Sequence, residues 1–187
     1  GESTVGSGTN MNIIAGKSLS ETGGHVFVSS GSSSKASSGS LSVVTSDAGE
    51  SGASGAMLLQ TGTSSAGSSG SLSISTGAAT AGESGSIRVN VGTTDTGIGG
   101  SFLAQAGNSN SAQGGNVGIA SGSGTVGGNV QIAAGRSSQQ TGGRISLFSA
   151  TSESISSGSL IFSSAKDNVL SGAVSVKTGV GSSTGVI

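Results

Sequence analysis

Apolar residues recur along this chain at alternate positions, in short stretches opened and usually closed by glycine. The cleanest stretch reads Gly70-Ser71-Leu72-Ser73-Ile74-Ser75-Thr76-Gly77, and Gly85-Ser86-Ile87-Arg88-Val89-Asn90-Val91-Gly92 follows it. Twelve such copies start at positions 9, 24, 39, 55, 70, 85, 100, 115, 128, 143, 158 and 172. A period that regular is the signature of a repeat architecture.

Numbering the leading residue of each copy one, position three is always Val, Ile, Leu, Met or Phe, from Met11 to Val174. Position five is the same apart from Ala104, and position seven is small or modest: Ala15, Ser30, Thr45, Thr61, Thr76 and Val91 in successive early copies. Positions two, four and six are mostly Ser, Asn, Gln, Arg or Ala. Because alternate residues of a strand point to one face, this pattern predicts a half-buried strand of about seven residues in every copy.

The connectors, such as Thr63-Ser64-Ser65-Ala66-Gly67-Ser68-Ser69, hold almost no large apolar residues and offer a strand nothing to bury against. The expected fold is therefore all-β: a parallel β-solenoid of twelve ~15-residue repeats with two strands per ~30-residue coil, facing each other in two parallel sheets. Sequence echoes between alternate copies agree, with Ser-Ser-Gly-Ser-Leu at 37–41, 68–72 and 156–160. A triangular coil of a single repeat is the second geometry. Residues 1–187 are expected to form one solenoid domain, and the bare repeat pattern at both ends suggests a slice of a longer array or a subunit that stacks end to end.

Composition sharpens this picture. Of 187 residues 37 are glycine and 45 serine, a content typical of flexible linkers. Yet the formal net charge is only −1, proline is absent, and the Val, Ile and Leu residues are strictly placed, so ordered repeats are expected over disorder. Lack of proline suits strands whose every N–H is needed. With no cysteine there are no disulfides and no thiolate chemistry. No basic excess or aromatic platform is present to hold a nucleic acid, and no apolar run approaches the ~20 residues of a membrane span. Nothing in the first residues resembles a signal peptide.

Candidate chemistry is sparse. His25, the single histidine, sits at position two, and Asp47 lies in a connector, without the spacing of a Ser/His/Asp triad. Gly122-Ser123-Gly124-Thr125-Val126-Gly127 formally matches a dinucleotide fingerprint but falls in the one clearly shortened repeat and reads as a tight corner. Asp47, Asp95 and Asp167 occupy separate connectors and form no catalytic cluster. Ala48-Gly49-Glu50-Ser51-Gly52 and Ala81-Gly82-Glu83-Ser84-Gly85 are duplicates whose glutamates read as solvated turn charges rather than a shared cation site. No Asn-x-Ser/Thr acceptor occurs. No enzymatic activity, cofactor or metal is expected.

Seven residues break the polar pattern of the even positions: Phe27, Leu58, Leu103 and Ile161 at position four, and Ile14, Val44 and Phe148 at position six. They are the candidate assembly surface, since clustered exposed apolar groups mark a partner. Segments such as Gly127-Gly128-Asn129-Val130-Gln131-Ile132-Ala133-Ala134-Gly135 resemble the strand repeats of filamentous haemagglutinin-type adhesins. The Ser/Gly/Ala-rich pattern is more similar to the large Gly/Ser-rich β-solenoid repeat proteins of diatoms and marine algae. Either resemblance implies an extracellular or cell-surface structural or adhesive rod. Its expected partner is itself, end to end or laterally in fibres, and then a surface or glycan matrix. Ice or crystal-surface binding is one alternative, calling for a flat outward threonine array, and non-catalytic glycan binding is another.

Overall fold

The computed structural model describes residues 6–152, 154, 156–166 and 170–179. Among them there is no helix and no strand. The expected β-solenoid is thus overturned, in its two-strand and its triangular form alike. A parallel coil would join equivalent positions of successive or alternate copies through backbone hydrogen bonds. The backbone bonds observed are more local, the shortest from Gly52 to Gly49 and the longest such as that from Gly24 to Gly16, and they lie within connectors or at their ends. The physical reason is the thinness of the repeat. Two modest apolar side chains per copy remove too little surface from water to offset the entropy of ordering a backbone this rich in glycine and serine. Among the described residues none is buried and none forms a core.

What the sequence builds instead is a succession of segments without regular structure, joined by loops. The chain divides into two units, Gly1–Asn90 and Val91–Ile187. In both, the copies up to that starting at Gly143 run without regular structure to position eight, and position one of the next copy then returns beside position seven of the last, whereas a Cβ on Gly172, which opens the twelfth copy, would meet nothing within 4 Å. The close approach of positions one and seven is a neck. It is drawn shut by a backbone hydrogen bond in which Gly24 N–H donates to the Gly16 carbonyl at 2.9 Å, and likewise Gly39 to Gly31 in the first unit. In the second unit Gly115 donates to Gly107, Gly128 to Gly122, Gly143 to Gly135 and Gly158 to Ala150, all at 2.9 to 3.0 Å.

The neck explains the glycine at position one. A Cβ on Gly24 would stand 3.1 Å from the Gly16 nitrogen and 3.2 Å from the Ala15 Cβ. At Gly143 the corresponding distances, to the Gly135 nitrogen and the Ala134 Cβ, are 3.1 and 3.3 Å. Position seven is Ala or Ser where the two backbones approach closest, since its side chain lies in the space that the glycine leaves.

Inside the loop a second rule operates. Position ten, just beyond the neck, is serine in six connectors, and its hydroxyl oxygen accepts nearby backbone N–H groups further along the loop. Ser18 accepts from Glu21 at 2.9 Å, Ser33 from Ala36 at 2.9 Å, Ser64 from Gly67 at 3.0 Å and Ser109 from Ala112 at 2.9 Å. Ser137 accepts from Gln140 at 2.8 Å and Ser152 from Ser154 at 3.3 Å. This is the side-chain turn that short hydroxyls favour, the geometry of a helix cap with no helix after it. The connector at 92–100 is built differently: Thr94 Oγ1 donates to the Thr96 carbonyl at 2.9 Å, and Gly97 turns the chain with φ +105°, a conformation open to glycine.

Candidate association surface

Although no sheet forms among the described residues, the alternation of the repeat survives there as an asymmetry of exposure. Large apolar residues at positions three and five are 48 to 75 % exposed, apart from Met11. The seven apolar residues at positions four and six are 78 to 88 % exposed. The chain's own backbone therefore shields the odd side in part and leaves the even side open to water. Phe27, Leu58, Leu103, Ile161, Ile14, Val44 and Phe148 all stand on that open side, each in its own copy of the repeat.

The backbone of these segments is open as well. Among the described residues, no backbone hydrogen bond is made between positions two and seven of any copy. A run of unpaired N–H and C=O groups beside alternating apolar side chains is the feature that templates strand pairing with another chain. Long apolar side chains and unpaired backbone thus lie together along these segments.

The other candidate residues are scattered. His25 and Asp47 are both exposed, in successive parts of the repeat. Glu50 and Glu83 are likewise exposed in separate loops, and Asp167 lies outside the described residues. Among the described residues no group of three or more His, Asp or Glu is placed to hold a metal ion, and no pocket is found. The stretch Gly122–Gly127 follows an extended segment, opens no helix and is closed by the Gly128 N–H on the Gly122 carbonyl at 2.9 Å, so it is a corner. Among the described residues no helix is long and apolar enough to cross a membrane.

Two features of the local structure have signals that the alternation of apolar residues does not reveal. The position-ten serines pass for polar filler, although their fixed offset from the preceding glycine is visible as Gly-x-Ser at 16–18, 31–33, 62–64, 107–109 and 135–137. The pairing of position one with position seven is visible too, as the complementary smallness of the two sites. No protein-family model, curated protein or solved structure matches the chain.

Proposed function

We propose that this protein is a structural or adhesive repeat protein, working outside the cell or at its surface, whose extended segments associate between copies. The observation that carries the reading is the coincidence, in copy after copy, of unpaired backbone and unburied alternating apolar residues. The apolar residues are costly to leave in water, and the open N–H and C=O groups beside them give a partner strand a ladder to pair with. The near-neutral charge of −1 removes the long-range repulsion that keeps many proteins apart. The absence of proline leaves every backbone N–H able to donate. The similarity of the Ser/Gly/Ala-rich repeat to algal repeat proteins and filamentous adhesins points to the same class.

Negative-stain electron microscopy and sizing across a concentration series test this. Uniform filaments or ribbons that appear as concentration rises are the expected result. A single monomeric species at every concentration would overturn it.

A further inference from the structure

The accessible surface of the chain is 18805 Å². A compact protein of this mass exposes about 7,800 Å², and a fully unfolded one about 25,000 Å². The chain thus exposes roughly 11,000 Å² beyond the compact value. A standard interface covers only about 800 Å² on each partner, so pairing with one copy at one patch leaves most of the surplus exposed. Any assembly that satisfies this chain must contact it on several sides.

The distribution of apolar side chains says which sides. Every copy has an apolar odd side, but only seven add an apolar residue on the even side. In those seven the remaining even positions four and six hold Asn12, Ser29, Ser42, Gln60, Gln105 and further serines, all neutral. The charged residues found at positions four and six, Arg88 and Lys177, fall in copies that have no even-side apolar residue. At these central positions charge and apolar bulk are therefore sorted into different copies, and Arg144 at position two stands at the edge of its segment. Residues 51–82 and 96–135, which include Leu58 and Leu103, contain no charged residue. Nothing electrostatic opposes the approach of identical neighbours there.

Resting on the self-association proposed above, we infer that the two-sided copies are covered on both faces by further copies of this chain, so that the assembly is at least two layers deep. The one-sided copies, such as 70–77 and 85–92, keep their serine, arginine and asparagine residues in water at its outer faces. Neutral amides and hydroxyls beside the apolar residues suit dry contact between like layers, where side chains of the same kind stack and interdigitate.

The test compares the thickness of assemblies by atomic force microscopy, one layer adding about 10 Å. The first variant carries Phe27→Ser, Leu58→Ser, Leu103→Ser and Phe148→Ser, and the second carries Leu72→Ser and Ile74→Ser on the odd side. The expected result is that the first variant still assembles but loses at least one layer, while the second keeps its layers and assembles at a higher concentration. Assemblies of equal thickness from the wild type and the first variant would overturn the layered arrangement. So would complete loss of assembly in the first variant alone, because those residues would then belong to the primary contact. A wild type that stays monomeric defeats the self-association reading itself, a result distinguishable from either of these.

Discussion

The necks at residues 45–100 and those at 106–158 follow the same repeat, yet they close differently. In the later stretch position seven is Ala106, Ser121, Ala134 and Ser149, and each neck carries its backbone hydrogen bond. In the earlier one position seven is Thr45, Thr61, Thr76 and Val91, and Gly55, Gly70, Gly85 and Gly100 make no such bond. The first two necks obey the same rule, with Ala15 and Ser30 at position seven and the bond in place. What lies against the glycine explains the difference. In closed necks a Cβ or backbone atom of the preceding segment is nearest. In open ones a Cγ of the β-branched residue comes close, as at Gly85, where the Thr76 Cγ2 is 3.4 Å from the Cβ site. The branch takes up the space through which the two backbones would meet. Val91 shows the limit: its Cγ1 is 2.7 Å from where a Cβ on Gly100 would sit, and at 46 % it is the least exposed large apolar residue among those described. Between residues 15 and 158 one methyl group thus separates tied loops from open ones, while Gly172, which follows the small Ser164, has nothing within 4 Å of its Cβ site and makes no such bond.

The comparison can be broken most strongly at position one. Gly143→Ala places a methyl against the backbone nitrogen of Gly135, which has no freedom to step aside. The residue-143 amide should lose its bond and exchange with solvent roughly five- to tenfold faster, the equivalent of about 1 kcal/mol. Gly55→Ala, whose nearest neighbour is the Thr45 Cγ2 at 3.7 Å, should change nothing at its neck. Equal acceleration at both sites would show that the neck bond is not what protects position one.

Exchanging the position-seven residues sharpens it further. Ala134→Val should open the neck at Gly143, and Val91→Ala should close the one at Gly100, with amide exchange shifting roughly threefold or more in opposite directions. Through-bond couplings across the N–H···O=C pair give a second readout. If Val91→Ala leaves Gly100 unbonded, the connector and not position seven decides closure.

These expectations also mark what is legible in the sequence. Phase, period and the smallness of positions one and seven can be read directly, because close backbone approach leaves a mark at fixed offsets: Gly24 against Ala15, Gly143 against Ala134. The sheet cannot be read the same way. Alternation at Leu72 and Ile74 says that one side is to be covered, but it says nothing of what covers it. The same pattern serves a strand buried within its own chain and one left open for another. The 37 glycines and 45 serines carry the deciding information, since their ordering cost outweighs two apolar residues per turn of the repeat. The candidate surface is legible because Phe27 or Leu58 on a polar side stands out by type alone, whatever the backbone does.

A smaller effect is expected inside the loops. Ser18→Ala removes the acceptor for the Glu21 N–H and should raise the temperature sensitivity of that amide shift. The Gly16–Gly24 neck should stay closed, with a loss of about 0.5 kcal/mol or less at the Gly24 amide. Strong loosening of Gly24 would mean that loop and neck form as one cooperative unit. The least effect of all is expected from salt. With so few charges, raising ionic strength should leave both classes of neck unchanged in amide exchange, and a marked response would point to an ion pair holding a loop.

The neck spanning Gly122–Gly128 closes over a shorter loop with the same 2.9 Å bond that Gly24 makes to Gly16 across a longer one. The connector is therefore a compartment whose length the tie does not sense. Residues can be lost there, and by the same logic gained, while the phase of the neighbouring segments is preserved. Such loops would absorb insertions and deletions that the segments between them would not. In the laboratory they are the natural points at which to graft a foreign peptide and have the chain display it once in every repeat.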